Sequence, residues 1–328
     1  MIRIGKISYW HVHAEEYTQQ VLDNPHSELA AIWDEDPVRG EQKAAQYGVP
    51  FIADLDELLQ REDIDAVVVD APTNLHHEVM VKAARAGKHI FTEKVIAPTL
   101  QEVNEIMNEV AKAGVRMAVS LPRLYEAYTL AIQEVLDSGR LGKLTEARVR
   151  LSHNGAIAGW LPAHFYSKEQ CGGGAMIDLG CHPMYLVRLF LGMPEQVSAV
   201  FGYVTGKEVE DNAVVILGYG SGAVGIVEAG FVNARSPFSV EIHGTEGSLL
   251  FGLPQEKILV SSSEGSGWDE VEAGDRLPIG FDQWITHIQE GKELNFNLEI
   301  ARDLTSLMEA ANLSAQEHRA VRIDELKG

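Results

Sequence analysis

The most informative stretch of the chain joins three consecutive glycines to an acid and a histidine. Residues 172–182 read GGGAMIDLGCH, and the apolar spacing through Phe190 predicts one helix. Asp178 and His182 are four residues apart, so such a helix would place them on one face. An acid beside a histidine can orient the imidazole and hold a proton near neutral pH. A buried His–Asp pair with a structural role is the alternative.

A second candidate for chemistry, Lys94, follows a short apolar strand. Residues 89–94 read HIFTEK and come after a predicted helix, Leu75 to Ala86, that Gly87 ends. In parallel α/β sheets the carboxyl ends of the strands open onto the ligand site. This position favours a catalytic lysine, and the alternative is an ordinary solvated side chain.

Composition limits the classes of partner. The chain has 328 residues, with 27 Lys and Arg against 48 Asp and Glu, for a net charge of −21. This charge argues against nucleic acid and anionic lipid as partners. No apolar run approaches the roughly 18 residues of a membrane span, and the first residues lack a signal-peptide pattern. Because Cys171 and Cys181 make no disulfide framework, we expect a cytoplasmic protein.

Strands and helices alternate through the first third of the chain. The pattern predicts a doubly wound parallel sheet of six strands separated by helices. The apolar runs assigned to strands include Ile2–Ile7, Glu28–Trp33, Ala66–Ala71, His89–Thr92 and Arg116–Leu121. We therefore predict a first domain over residues 1–122.

Strands then follow one another without intervening helices, from Leu144–Leu151 to Lys257–Val260. Their alternating pattern and glycine-containing turns predict a second, α+β domain over residues 123–328, with a large, mainly antiparallel open sheet. Helices are expected at Phe281–Gln289 and Leu298–His318.

The motifs resemble those of the Gfo/Idh/MocA oxidoreductases. The resemblance rests on Pro72-Thr73-Asn74-Leu75-His76, similar to the family's TPN-x-x-H turn, on AGKHIFTEK at residues 86–94, similar to AGKHV…EKP, and on residues 172–182, similar to GGG…D-x-G-x-H. It covers essentially the whole chain. It implies an N-terminal Rossmann domain, a C-terminal open α/β domain, and a nicotinamide-dependent dehydrogenase acting on a sugar, cyclitol or related polyol. By this resemblance, Lys94, Asp178 and His182 are the catalytic group.

The first βα turn departs from the dinucleotide-binding pattern. A fingerprint G-x-G-x-x-G should follow the first strand, but Ser8 and Trp10 stand where its first two glycines would be. A tryptophan there must turn away, or the cofactor must lie farther from the backbone. Backbone N–H groups at a helix N-terminus can still hold a phosphate, so we expect NAD to bind. A smaller departure is Val95, which replaces the proline that usually follows the lysine.

Asp34 supports a cofactor role, because an acid that ends the second strand accepts hydrogen bonds from the adenosine ribose. Its alternative role is an N-cap of the helix that Pro37 begins. Arg39 is near enough to contact a 2′-phosphate, but Asp34 would repel that phosphate, so NAD is favoured over NADP. The candidate cofactor-binding residues are Ser8, Tyr9, Trp10, His11, Asp34, Arg39, Pro72, Thr73, Asn74, His76, Glu93 and Lys94.

Aromatic residues with polar tips precede the glycines and suit sugar faces and hydroxyls, although packing under a loop explains them equally well. Arg123 either contacts substrate oxygens or makes a surface ion pair. The candidate substrate-binding residues are Lys94, Arg123, Trp160, His164, Tyr166, Asp178 and His182. We predict no metal site, because His11-x-His13 and His76-His77 do not match the ligand spacing of CxxC or HExxH sites.

The predicted reaction is reversible hydride transfer between nicotinamide and a secondary alcohol carbon. His182 would take the hydroxyl proton while Lys94 stabilises the oxygen, although spacing does not settle which of the two takes it. Asp178 would orient the substrate or the imidazole. Three other functions stay open: an NAD-dependent glycosidase on the same fold, a non-catalytic sugar or NAD sensor, and reduction of an imine or other double bond.

The second-domain sheet also predicts assembly. One face is expected to pack on helices and the other to display Val200, Val215, Ile226 and Val240. An exposed apolar sheet face is commonly an interface, and the family resemblance implies dimers or tetramers through this sheet. We therefore expect a homodimer or homotetramer.

Overall fold

The chain forms two compact units in the computed structural model, which describes residues 1–252, 254–263, 265, 267–292 and 297–328. The first unit comprises residues 1–120 and 278–301, and the second comprises residues 121–277 and 302–328. Among the described residues, no helix is both long enough and apolar enough to cross a membrane.

The first unit is built on a parallel sheet. In the described part of this unit the sheet has five strands in the order β2-β1-β3-β4-β5. The strands are β1 (Ile2–Ile7), β2 (Ser27–Trp33), β3 (Ala66–Val69), β4 (His89–Thr92) and β5 (Met117–Val119). The helices between them are α1 (Ala14–Asp23), α2 (Pro37–Tyr47), α3 (Leu55–Gln60), α4 (His76–Arg85) and α5 (Leu100–Ala113). The doubly wound parallel sheet is confirmed.

The prediction of six strands was wrong by one. Beside β2, at the edge of the sheet, Phe51 makes an isolated parallel bridge to Ile32 instead of a strand. Pro50 has no N–H to donate to a ladder, and Asp54 accepts a hydrogen bond from the Glu57 N–H to begin α3. The chain therefore pairs at this edge for about one residue before it turns into a helix.

The second unit contains a mixed sheet that is mainly antiparallel, as predicted. Its order, over the residues described, is β13-β12-β11-β10-β6-β9-β8-β7-β14, and β6 and β9 are parallel neighbours. The strands are β6 (Leu144–Ser152), β7 (Gln196–Gly202), β8 (Asn212–Gly218), β9 (Val224–Gly230), β10 (Ser239–Gly244), β11 (Gly247–Gly252), β12 (Lys257–Ser262), β13 (Asp269–Val271) and β14 (Val321–Arg322). The other α-helices among the described residues are α6 (Ala127–Asp137), α7 (Gly155–Ala158), α8 (Lys168–Cys171), α9 (Ala175–Asp178), α10 (Cys181–Leu191), α11 (Gly280–Glu290) and α12 (Asn297–Glu317).

Helices α9 and α10 pack on one face of this sheet. The opposite face, here called the open face, exposes several apolar side chains among the described residues. Of the four residues predicted on the open face, Val200 is exposed and Ile226 is partly exposed. Val215 and Val240 were assigned to the wrong face, because both are completely buried. Side chains alternate along a strand, so the exposed neighbour of Val215 in β8 is Val214.

Helix α11 lies in the first unit, although all of residues 123–328 were predicted to form the second domain. Its apolar face packs on the first sheet. The ring centroids of Phe281 and Trp284 both lie 5.6 Å from the ring centroid of Phe91 in β4. The Trp284 indole also donates to the backbone carbonyl of Arg116, at 3.2 Å. The apolar spacing of a helix does not specify which sheet it covers.

We predict that Trp284→Ala lowers the free energy of unfolding by about 3–5 kcal/mol, because the side chain is completely buried and its removal leaves a cavity. Denaturant unfolding followed by circular dichroism measures this. The matched control is Trp268→Ala, since Trp268 is 49% exposed. Equal stability of the two variants would contradict the assignment of α11 to the core of the first unit.

Candidate active site

Lys94 lies two residues beyond the end of β4, at the carboxyl edge of the first sheet, as predicted. Its side chain is buried, and its backbone N–H donates to Glu93 Oε2 at 2.7 Å. The Lys94–Val95 peptide bond is cis. Glu93 is also buried, and its Oε1 accepts a short hydrogen bond from the Tyr17 hydroxyl, which lies 2.6 Å from Ser120 Oγ. Glu93, and with it Lys94, is therefore held in place by Tyr17 of α1 and by Ser120 at the end of β5.

Glu93 is ionised although it is buried. Burial alone would raise the pKa of its carboxyl, but the positive potentials of His11, Lys94 and His13 hold that pKa below its usual range. A carboxylate thus faces two imidazoles and an ammonium group at one edge of the sheet.

His76 positions the segment that carries Lys94. The buried ring has Nδ1 at 3.0 Å from the Val95 carbonyl and 3.1 Å from that of Ile96, and Nε2 at 3.0 Å from the Ala71 carbonyl. Burial lowers the pKa of His76, so the neutral ring donates from one nitrogen at a time. The ring thereby joins the end of β3 to the segment after β4.

The predicted TPN turn is a short 3-10 helix, Thr73–Leu75, between β3 and α4. Pro72 and Thr73 are buried, and Asn74 is exposed. Because this turn follows a parallel strand, Asn74 lies at the same carboxyl edge as Lys94.

The first βα turn, residues 8–13, is held by bonds within the first unit. Ser8 is buried with a φ of 70°, a left-handed conformation that costs a non-glycine residue energy. Four consecutive backbone N–H groups donate within the unit. Ser8 N–H donates to the Trp33 carbonyl at 2.7 Å, and Tyr9 N–H donates to Asp34 Oδ2 at 2.9 Å. Trp10 N–H donates to Ser8 Oγ at 3.0 Å, and His11 N–H donates to the Asp70 carbonyl at 3.2 Å. A dinucleotide pyrophosphate therefore needs donors other than these four amides, such as the N-terminal turn of α1.

Asp34 is paired with Arg39 rather than exposed to a ligand. Arg39 Nε and Nη2 donate to the two oxygens of Asp34 at 2.9 and 2.6 Å, and the backbone N–H of Asp36 donates at 2.8 Å. Asp36, not Asp34, is the N-cap of α2, since it accepts from the backbone N–H groups of Val38 and Arg39. The N-cap alternative for Asp34 was therefore wrong, and a ribose hydroxyl competes with Arg39 for the carboxylate.

Two charged residues beneath this edge were missed. Lys6 in β1 and Asp70 after β3 are completely buried and form an ion pair. Burial lowers the pKa of Lys6, and nearby acids, Asp34 first among them, oppose that shift. The available signal was a lysine on the inward side of β1, in register with Ile2 and Ile4.

The helix predicted after the glycines is two helices, α9 and α10, so Asp178 and His182 do not share one helical face. The chain turns at Gly180, whose N–H donates to the carbonyl of Ala175, five residues back, at 2.9 Å. A Cβ at Gly180 would lie 2.6 Å from the Met176 carbonyl oxygen, so a side chain does not fit. The close approach of the Met176 backbone therefore explains why this position is a glycine.

Glu210 holds the glycine segment and was also missed. Its buried carboxylate accepts the N–H groups of Gly174 and Met176 at 2.9 Å, and its carbonyl accepts that of Ala175 at 2.8 Å. Burial raises the pKa of Glu210, and the backbone donors oppose that shift. A Cβ at Gly174 would lie 2.1 Å from the Glu210 carbonyl oxygen, which explains the glycine.

The imidazole of His182 is oriented by Tyr185, one turn along α10. His182 Nδ1 lies 3.1 Å from the Tyr185 hydroxyl, and this hydroxyl also accepts the Arg123 backbone N–H at 3.0 Å. Burial raises the pKa of Tyr185 well above its usual value, so the hydroxyl stays neutral. When Nδ1 carries the proton and donates it to Tyr185, Nε2 is the basic nitrogen.

Asp178 has a further neighbour, His153, which follows the end of β6. Burial lowers the pKa of His153, and the negative charge of Asp178 raises it. The His153 ring stacks on Phe231 with centroids 5.1 Å apart and lies 4.6 Å from the Trp160 ring. The predicted substrate-binding residue Trp160 therefore lies beside His153, which was not among the predicted site residues.

Arg123 contacts aromatic side chains. Its guanidinium lies 4.3 Å from the centroid of Phe238 and donates to the Tyr128 hydroxyl at 3.1 Å. It lines a cleft of about 710 Å³ whose walls include Tyr128, Phe238 and Phe251. His164 and Tyr166 lie on the short 3-10 helix Ala163–Tyr166.

Comparison with known proteins identifies the family. Residues 4–121 match the family model described as an oxidoreductase family with an NAD-binding Rossmann fold, and residues 129–250 match the GFO/IDH/MocA C-terminal domain. The chain belongs to the Gfo/Idh/MocA oxidoreductases. It is therefore an NAD-binding oxidoreductase, and the predicted fold class and family are confirmed.

Several members of the Gfo/Idh/MocA family are similar over most of the chain. Scyllo-inositol 2-dehydrogenase (NAD(+)) of Bacillus subtilis is 29% identical, over 83% of this chain and 78% of its own. Myo-inositol 2-dehydrogenase of Thermotoga maritima is 26% identical, over 100% and 99%. A levoglucosan dehydrogenase solved with NADH and levoglucosan has the same fold, with a TM-score of 0.81, 21% identity and coverage of 98% and 99%.

We predict that the chain binds NAD more tightly than NADP, and that Arg39→Ala widens this difference by about tenfold, or 1.4 kcal/mol. The substitution leaves the Asp34 carboxylate without its guanidinium partner, so a 2′-phosphate meets an uncompensated negative charge. Calorimetric titration with both dinucleotides measures the ratio.

The control for this titration is Arg61→Ala, which removes another arginine of the first unit, paired with Asp63 at the surface. Tighter binding of NADP than NAD by the unsubstituted chain would mean that Arg39 reads the ribose.

Proposed function

We propose that the chain is an NAD-dependent dehydrogenase that oxidises a secondary alcohol of a sugar, cyclitol or related polyol. The observation that carries the proposal is the contact of His182 Nδ1 with the buried Tyr185 hydroxyl, which fixes the orientation of the ring. When Nδ1 donates to Tyr185, Nε2 is the basic nitrogen. The similarity to inositol dehydrogenases supports the class of substrate. The proposal includes a cytoplasmic location, where the buried thiols of Cys171 and Cys181 stay reduced.

The residues at the carboxyl edge of the first sheet fit the nicotinamide end of the cofactor. Thr73 and Asn74 after β3, and Lys94 after β4, would hold it, since ligands of such sheets bind at the carboxyl ends of the strands. Bound nicotinamide supplies the hydride acceptor or donor. At the adenosine end, the Asp34 carboxylate would accept the ribose hydroxyls once they replace Arg39 as its hydrogen-bond donors.

In this proposal His182 is the general base, and Lys94 stabilises negative charge on the substrate. His182 Nε2 takes the proton of the substrate hydroxyl, and the Tyr185 oxygen steadies the charged ring through Nδ1. The Lys94 ammonium group donates to a substrate oxygen and stabilises its developing negative charge. Asp178, whose charge acts on His153, orients the substrate hydroxyls.

A non-catalytic sensor is the second candidate, and the first βα turn favours it. Four amides of this turn are committed to bonds within the unit, so the turn itself lacks their phosphate-binding capacity. Calorimetry and NADH absorbance on the same polyol panel separate the two functions. A sensor binds a polyol without producing NADH, whereas a dehydrogenase turns it over.

We predict that Lys94→Ala and His182→Ala each reduce turnover by at least about 100-fold, the usual contribution of an acid–base group. The assay follows NADH with myo-inositol, scyllo-inositol, levoglucosan and aldoses, and circular dichroism checks the fold. The controls, Lys112→Ala and His26→Ala, remove exposed side chains of the same types. Near-normal turnover in both test variants would refute these roles.

We also propose a homodimer or homotetramer formed through the open face of the second sheet. Val200, Val214, Ile216 and Val224 on β7, β8 and β9 are all exposed there. Contiguous apolar side chains of this kind commonly form interfaces. Beside them, Arg148 and Arg150 pair with Glu228 within the sheet, so these charges do not need a partner subunit.

We predict that Ile216→Glu converts the assembly to monomers, because it buries a charge in an apolar contact. Light scattering at micromolar concentration measures the mass, and the assembly should persist at high salt. Val38→Glu, at an exposed valine of the first unit, should leave the mass unchanged. A monomeric unsubstituted chain would refute the proposed assembly.

A further inference from the structure

Three side chains of the types that bind metals converge at the carboxyl edge of the first sheet. His11, His13 and Glu93 each present one ligand atom, and these atoms lie within 4.8 Å of one another. The two histidines come from the turn after β1, and Glu93 follows β4, so the cluster forms only when the sheet assembles. We propose that these three residues bind one divalent transition-metal ion per chain. The prediction of no metal site considered spacing along the chain, which does not include Glu93.

The distance between two of the ligands suits a metal better than a hydrogen bond. His11 Nδ1 lies 3.7 Å from Glu93 Oε1, which is too long for a hydrogen bond. Two ligands of a tetrahedral zinc ion with bonds of about 2.1 Å are about 3.4 Å apart. The backbone N–H of His13 is 3.3 Å from the same imidazole nitrogen, a long contact that the ion would replace.

The burial of the three ligands leaves one side of the ion open. The side chains of His11 and Glu93 are buried, whereas that of His13 is 50% exposed. Three protein ligands with an open position are typical of zinc ions that bind a water or a substrate. The exposed side also holds Glu16, whose Oε2 lies 3.3 Å from His13 Nδ1 and can orient that ring.

The neighbours of Glu93 fix its carboxylate as metal sites require. Tyr17 donates to Oε1, and the backbone N–H of Lys94 donates to Oε2 at 2.7 Å. Hydrogen bonds of this kind orient a ligating carboxylate and contribute to metal affinity.

The donor set selects the class of ion. Two imidazole nitrogens and one carboxylate suit zinc and similar ions, whereas magnesium and calcium prefer six or more oxygen ligands. The inference does not depend on the proposed dehydrogenase activity, because all three ligands lie in the first unit and the test measures binding.

The test is calorimetric titration of the full, tag-free chain, stripped of metal, with zinc chloride and separately with magnesium chloride. We expect one zinc ion per chain and much weaker binding of magnesium. His13→Ala should weaken zinc binding by at least about 100-fold, since loss of a residue behind the ligands already costs about 10–100-fold. The matched control is His77→Ala, which removes a histidine that pairs with one acid, Glu105, at the surface and should leave zinc affinity unchanged.

A second variant, Tyr17→Phe, keeps all three ligands and removes the hydroxyl that donates to Glu93. We expect it to weaken zinc binding by about 10-fold. Circular dichroism verifies that each variant is folded, and His13 is exposed enough for its removal to spare the core. Absence of a one-to-one zinc complex, equal zinc affinity of His13→Ala and the unsubstituted chain, or equal binding of magnesium would each overturn the proposal.

Discussion

Compensation of buried charge at the carboxyl edge of the first sheet is the constraint on which the rest of this unit depends. Lys6 and Asp70 lie beneath that edge with no exposed surface, and each is the ion-pair partner of the other. Removal of one partner of such a pair costs about 3–5 kcal/mol, so the two strand ends must stay in register. Asp34 with Arg39 follows the same rule, and Asp34 also accepts the Tyr9 N–H of the turn after β1.

In the second unit the main constraint is the close approach of one backbone segment to another. Gly174 and Gly180 are glycines because a Cβ at either position would collide with a carbonyl oxygen. Glu210 then satisfies the N–H groups that open α9. Because the chain turns between α9 and α10, His182 lies in the first turn of a new helix, where the Tyr185 hydroxyl reaches its ring.

Local patterns predicted the type of each sheet but not the positions where tertiary contacts override them. The helix break at Gly180 was not predicted, because the apolar spacing continues across it. A glycine between Asp178 and His182 was the local sign of a break. The role of Asp34 changed because Asp36, two residues on, caps α2 and leaves Asp34 to pair with Arg39. Glu210 lies far along the chain from the glycine segment that it holds, and His153 lies far from Asp178, whose charge raises its pKa, so no local pattern selects either residue.

The sequence by itself determined the alternation of strands and helices, the position of Lys94 after a buried strand, and the motifs that place the chain in its family. These follow from periodicity and spacing, which are local properties of the chain. Only the tertiary structure decided that α11 covers the first sheet, that Val215 points to the buried face, and that Glu93 meets His11 and His13. Each of these depends on which segments pair in space. Glu93 is far from His11 and His13 along the chain, and it becomes their neighbour only when parallel strands align their ends.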